Sequence, residues 1–176
     1  MLVERVHHVA YRCKDAKETV LWYQKHLDMN FVLAIAEDQV PSTNAPDPYM
    51  HVFLDAGNGN VLAFFEIPNS PAMGRDENTP SWVQHLALKV ASVEKLLEAK
   101  ARLEAAGIEV VGPTNHTIFK SIYFFDPNGH RIELAADCGT PEMYRRLDDV
   151  KWQMLDEWSR TRRAPTHARW MHDGTA

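Results

Sequence analysis

Residues 114–133, TNHTIFKSIYFFDPNGHRIE, place an imidazole (His116), a phenol (Tyr123) and a carboxylate (Glu133) around one tight turn, Asp126-Pro127-Asn128-Gly129. An imidazole and a phenol can both donate and accept hydrogen bonds near neutral pH, which suits them to orienting a substrate or moving a proton. The turn has the right chemistry for a hairpin: Asp opens it, Pro sets φ at the next position, and Gly accepts a positive φ. Beyond it, His130-Arg131-Ile132-Glu133-Leu134 reads as a strand, so Glu133 projects from a rigid element. Burying a carboxylate there is costly unless a cation holds it, and that is the first sign of a metal.

An internal repeat supplies the rest of a ligand set. His8-Val9-Ala10-Tyr11-Arg12 echoes His85-Leu86-Ala87-Leu88-Lys89, and each run alternates like a half-buried strand leading into a helix. The spacing predicts helices over 16–27, with Asp15 as N-cap, and over 93–106, with Ser92 as N-cap. Turn residues Asn30 and Gly107 follow at the same offset, and apolar strands begin at Phe31 and Ile108. Later, MHVFLDAGNGNVLAFF echoes IYFFDPNGHRIELA. The chain therefore reads as two copies of a strand–helix–three-strand unit, with His8 and His85 in equivalent places facing a shared cleft. Together with Glu133 they make two imidazoles and one carboxylate, leaving other positions on a metal open. That set suits Fe(II), and Mn, Co, Ni or Zn with less preference. Strand alternation sends His7 to the face opposite His8, as a structural or exposed residue.

The two-unit pattern resembles the vicinal oxygen chelate superfamily, which includes glyoxalase I, epimerases, fosfomycin-resistance proteins and type I extradiol dioxygenases. The resemblance covers about residues 4–137. Within it, His116, Ile122-Tyr123, Asp126-Pro127-Asn128-Gly129 and Glu133 are similar to the extradiol ring-cleavage motif. The resemblance implies an α+β fold of paired βαβββ modules, about 4–67 and 82–137, forming a curved mixed sheet around a metal cleft. A C-terminal helix and tail over 138–176 would follow. It implies cleavage of a catechol-like aromatic diol with O2 at Fe(II), with Tyr123 hydrogen-bonding a substrate oxygen and His116 positioning it or assisting proton transfer. Extradiol enzymes carry a further acid–base histidine where this chain has Asn60, which can hydrogen-bond but cannot shuttle a proton. Asn60 and His51 are therefore the substrate-binding candidates, with His51 as the group that could compensate.

The alternative is a glyoxalase- or epimerase-like lyase or isomerase using Ni, Co, Zn or Mn, with Glu66 as a fourth ligand. Counted from the turn glycines, the equivalent of Glu133 is Ala63, and Ala63 and Glu66 fall on opposite faces of an unbulged strand. Three ligands are expected, although a single bulge would reverse this. A non-catalytic, drug-sequestering protein is a third reading, against which the paired histidines and carboxylate argue.

At 176 residues the chain can bury a single-domain core. Its net charge of −5, without a basic stripe, argues against nucleic acid. The absence of a long apolar run and of a secretory signal argues against a membrane and for the cytoplasm. Cys13 and Cys138 lack zinc-type pairing and are expected to be reduced and structural. Residues 38–49 and 68–81 read as loops that could border the cleft, with Tyr49, Met73 and Trp82 as apolar walls. Thr140-Pro141 starts a helix expected to reach about 160. Its stripe of Met143, Leu147, Val150, Met154, Leu155 and Trp158 is expected to pack against the domain or a partner subunit. Residues 161–176 read as a polar arm or frayed tail that helps form a homodimer, with His167 and His172 solvated.

Overall fold

The computed structural model describes residues 2–171. The first four-stranded sheet contains β1 (Val9–Cys13), β2 (Asn30–Glu37), β3 (Tyr49–Asp55) and β4 (Val61–Glu66), in the order β1-β4-β3-β2. β1 runs parallel to β4, while β2–β3 and β3–β4 are antiparallel. The second contains β5 (Leu86–Lys89), β6 (Val111–Asn115), β7 (Phe119–Phe125) and β8 (Arg131–Asp137), in the matching order β5-β8-β7-β6. The repeat is therefore realised as two mixed sheets of one topology, each made by one βαβββ run.

Helices α1 (Ala16–Leu27) and α2 (Val93–Ala105) start where the capping chemistry places them. The Asp15 carboxylate accepts from the Glu18 N–H at 2.7 Å and the Ser92 hydroxyl from the Lys95 N–H at 3.3 Å, each satisfying an otherwise orphaned donor. Ala16, Val20 and Tyr23 recur at helical spacing and are buried in the first unit, as are Val52, Leu54, Leu62 and Phe64 of its sheet. In the second unit the buried set is Leu96, Leu103, Ile122, Phe124, Leu134 and Ala136.

Two compact units result, 1–86 with 125–132, and 87–124 with 133–176. The tip of the second sheet's hairpin thus belongs with the first unit, and hydrogen bonds explain why. Asp126 and Asn128 are buried. The Asp126 carboxylate accepts from the Tyr23 hydroxyl at 3.0 Å and from the backbone N–H groups of Asn128 (2.9 Å) and His130 (2.8 Å). Asn128 Oδ1 accepts from the Lys14 N–H at 2.8 Å. The turn is a plug for the start of α1. Gly129, at φ 90°, supplies the left-handed residue that closes it.

Several expectations are corrected. Both repeat histidines lie one residue before their strands, which begin at Val9 and Leu86; at Val9 the parallel pairing of β1 with β4 starts. Alternation therefore does not separate His7 from His8; their Nδ1 atoms are 2.8 Å apart. The strand expected from Ile108 begins at Val111, and its register against β7 shifts between Val111 and Thr114, around Pro113, which has no N–H to give the ladder.

Helix α3 spans Pro141–Thr161 with Thr140 as N-cap, but none of its residues is buried. Met143, Leu147, Val150 and Met154 are half-covered, whereas Leu155 and Trp158 are exposed. Trp152, on the same outer side, is 67% exposed. The following segment is no frayed arm over its described part. Ala168 and Trp170 are buried, the Arg146 guanidinium lies 4.2 Å over the Trp170 ring, and His167 Nδ1 is 3.1 Å from a Glu157 carboxylate oxygen. His172 lies outside the described residues.

Candidate active site

In the second unit, β7 sends Ile122 and Phe124 into the core and Ser121 and Tyr123 to the other face. On that face the Ser121 hydroxyl donates to Glu133 Oε1. Glu133 is only 4% exposed, on the third residue of β8. The Tyr123 hydroxyl lies 2.8 Å from His116 Nε2. His116 is itself held by its backbone N–H on the Phe119 carbonyl (2.9 Å) and by stacking on the Phe119 ring, with centroids 4.7 Å apart. Thr117, at φ 70°, makes the bend that turns the chain back between these residues. His116, Tyr123, Ser121 and Glu133 thus occupy one polar face.

The equivalent face of the first unit is aromatic. His51 is the third residue of β3, as Ser121 is of β7. Its ring stacks on Phe65 at 3.5 Å and 15°, with Phe53 at 4.1 Å and His8 at 6.1 Å. His51 is 8% exposed, and among the described residues its Nε2 has no hydrogen-bond partner. Burial lowers its pKa and the neighbouring His8 lowers it further.

The remaining candidates fall elsewhere. Glu66 Oε2 accepts the Ala16 N–H at 2.7 Å, so its carboxylate closes the start of α1. The β3–β4 register runs unbroken from Met50↔Glu66 to Asp55↔Val61; no bulge intervenes, and Glu66 shares its face with Leu62 and Phe64 rather than with Ala63. Asn60 is exposed in the turn before β4, its Nδ2 donating to the Gly57 carbonyl at 3.0 Å. His85 is exposed just before β5. Among the described residues, no three His, Cys, Asp or Glu side chains are grouped as a set that could hold a metal ion.

A cavity of about 270 Å³ opens within the first unit beside His85. Its walls include Tyr11, Met73, Arg75, His130 and Arg131. His130 Nε2 donates to the Arg12 carbonyl at 2.6 Å, and its ring lies against Tyr11 at 4.8 Å. Of the expected apolar walls, Met73 lines this cavity, whereas Trp82 is 67% exposed and Tyr49 borders a separate open cleft with Glu37 and Glu66. Sequence reading missed Ser121, although its period-2 spacing from Tyr123 was the available signal. It also missed the cavity, whose walls come from Tyr11, from within residues 73–86 and from residues 128–131.

The profile of the Glyoxalase/Bleomycin resistance protein/Dioxygenase superfamily matches residues 5–134. A biphenyl-2,3-diol 1,2-dioxygenase from Rhodococcus globerulus is 35% identical over 75 residues, a stretch that covers 41% of this chain and 40% of that protein. Glyoxalase I from Leishmania major, trypanothione-dependent, is similar in structure with a TM-score of 0.61 at 22% identity, covering 86% of this chain and 98% of that one. The fosfomycin resistance protein FosX from Listeria monocytogenes, solved with Mn(II) and sulfate, gives a TM-score of 0.55 at 21% identity, covering 81% and 97%.

Proposed function

The chain belongs to the glyoxalase/bleomycin resistance protein/dioxygenase superfamily, and from that premise we propose that it is a metal-dependent extradiol-type dioxygenase cleaving a catechol-like aromatic diol with O2. The observation that carries this reading is the 2.8 Å hydrogen bond between His116 and Tyr123, the two residues the extradiol motif sets aside for substrate, on the face where Ser121 holds Glu133. The Rhodococcus relative, named for a biphenyl diol, supports the same reaction class over the stretch it matches.

In this reading His8, His85 and Glu133 hold a divalent ion, Fe(II) first, with Mn, Co, Ni or Zn as alternatives. The donor types fit: two exposed imidazoles at matched positions of the repeat, and a carboxylate with one oxygen already fixed by a hydroxyl. Bound iron would supply charge to acidify the diol and redox capacity for O2. The other tasks fall to the chain. Tyr123 donates its O–H to a substrate oxygen. His116 Nε2, within hydrogen-bond reach of that hydroxyl, takes or returns the proton. Ser121 fixes Oε1 and so the orientation of the Glu133 carboxylate. The Ala16 N–H on Glu66 supports three protein ligands over the four of the lyase or isomerase alternative.

A cytoplasmic homodimer completes the reading. Support for self-association comes from the edge strand β2, whose Phe31, Val32, Leu33 and Ile35 are 44–53% exposed. No helix among the described residues is long and apolar enough to cross a membrane.

The test is oxygen uptake by protein reconstituted anaerobically with Fe(II), across a panel of catechols. Uptake with a yellow ring-fission product, lost in His8→Ala and sharply reduced in His116→Ala, is expected. Bound metal without uptake on any diol would move the protein to O2-independent lyase or isomerase chemistry.

A further inference from the structure

The cavity beside His85 has a chemistry the proposed reaction does not use. Two of its walls are guanidinium groups, Arg75 and Arg131. The only carboxylate among its lining residues is Asp76. Asp76 is committed to its own loop, accepting from the Thr79 hydroxyl and from the Asn78 N–H at 3.0 Å. The lining thus brings two guanidinium groups and one carboxylate together. Arg75 rests its charge 5.4 Å over the Phe125 ring, a cation–π contact that orders the guanidinium while leaving its N–H edge available. Among the described residues, neither the Arg75 guanidinium nor the half-buried Tyr11 hydroxyl makes a hydrogen bond to protein. The loop carrying Arg75 is tethered, because an Arg12 terminal nitrogen donates to the Pro71 carbonyl at 2.6 Å.

The rest of the lining is suited to a flat ring. Tyr11 and His130 lie 4.8 Å apart at 35°, and Met73 adds an adaptable apolar wall. The His130 ring cannot turn away freely, since its Nε2–H is held by the Arg12 carbonyl. At about 270 Å³ the cavity is just below the range of about 300–1,000 Å³ usual for small-molecule sites, so by itself it admits one ring and not a biaryl.

We propose that this cavity binds the carboxylate and ring of a single-ring aromatic acid, with Arg75 and Arg131 gripping the carboxylate. Bidentate pairing of guanidinium with carboxylate gives such a site both strength and direction. The cavity abuts His85, so the diol substrate would be a dihydroxy-aromatic acid. That last step rests on the proposed function; binding of the acid does not.

Benzoate and benzamide, alike in shape but not in charge, separate these possibilities. Both are titrated by calorimetry into the full chain, with and without Fe(II). Benzoate is expected to bind at least about tenfold more tightly than benzamide, since hydrogen bonds from a guanidinium to a charged carboxylate are stronger than those to a neutral amide. Arg75→Gln and Arg131→Gln should each weaken benzoate about tenfold or more and leave benzamide unchanged, while Arg75→Lys should recover part of the loss. Thermal melts of each variant establish that it is folded. Equal affinity for the two ligands, no benzoate binding, or benzoate binding indifferent to both arginines in folded variants would overturn the inference. If arginine-dependent benzoate binding occurs but no dihydroxybenzoate consumes oxygen, the inference stands and the dioxygenase reading falls. If catechol is cleaved with no advantage for its carboxylated analogues and no benzoate binding, the reverse holds.

Discussion

The two halves of this molecule share a scaffold and differ at the positions that could react. The third residue of β3 is His51 and that of β7 is Ser121; the fifth is Phe53 or Tyr123; the third of β4 is Ala63 and that of β8 is Glu133. In the first unit these positions make an aromatic stack on which His51 lies against Phe65. In the second they make a polar row in which Ser121 holds Glu133 and Tyr123 meets His116. The buried faces behind them remain alike: Val52 and Leu54 correspond to Ile122 and Phe124. A duplicated sheet thus keeps its core side apolar and varies the other side, aromatic in one unit and polar in the other. The hairpin turns diverge in the same way. The turn at 56–60 is largely exposed, whereas Asp126 and Asn128 are buried against the start of α1.

The largest expected effect breaks that last contrast. Asp126→Ala removes the acceptor of the Tyr23 hydroxyl and of two backbone N–H groups, leaving buried donors unsatisfied. We expect a loss of about 3–5 kcal/mol, read as a shifted urea midpoint. Asn58→Gly in the exposed turn, where φ is already 52°, should stay within about 0.5 kcal/mol. If the two variants are equally stable, the turns are equivalent and the plug is an illusion.

Tyr123→Phe tests the polar row. Turnover of a diol should fall about 10²-fold while bound metal is unchanged, because only a proton-handling hydroxyl is removed. Loss of metal in that variant would mean the tyrosine supports the ligands instead. Asn60→Ala, which touches only its own turn through Gly57, should change turnover by less than about twofold.

The two cysteines extend the contrast to pH. Burial raises the Cys13 thiol from 9.0 to about 11, whereas Cys138 is exposed. A thiol whose folded pKa lies above its unfolded value binds more protons when folded between those values, so stability falls as pH rises from about 9 to 11. Wild type should lose about 2–3 kcal/mol more than Cys13→Ala, as seen in denaturant midpoints across that range; burial also raises the Tyr23 hydroxyl, which leaves a loss of the same sign in both proteins. At pH 8 a thiol reagent should modify native protein at Cys138 alone; equal labelling of both would contradict the burial of Cys13.

Much of this arrangement could be read locally. Asp15 and Ser92 marked two helix starts because capping depends on adjacent residues alone. The Asp-Pro-Asn-Gly turn announced its hairpin, and the odd spacing of Ala63 and Glu66 predicted that they face opposite ways, as the unbulged register shows. What failed was tertiary. Whether β1 includes His8 depends on where β4 begins to pair, which no local pattern contains. The apolar stripe of α3 resembled a core face, but the degree to which packing covers it is decided by the rest of the fold. The destination of the Asp126 and Asn128 side chains was equally hidden, since their partners on and before α1 are more than a hundred residues away. The cavity was hidden for the same kind of reason, since Tyr11, residues within 73–86 and the 128–131 stretch meet only in the fold.

The most direct measurement compares two carboxylates that the repeat sets on opposite faces. Metal content and oxygen uptake are measured side by side for Glu133→Gln and Glu66→Gln after anaerobic loading with Fe(II). We expect Glu133→Gln to lose metal and uptake together, and Glu66→Gln to retain both with a modest loss of stability from the α1 cap. Retention of metal in Glu133→Gln with its loss in Glu66→Gln would contradict the assignment of chemistry to the second unit's polar face.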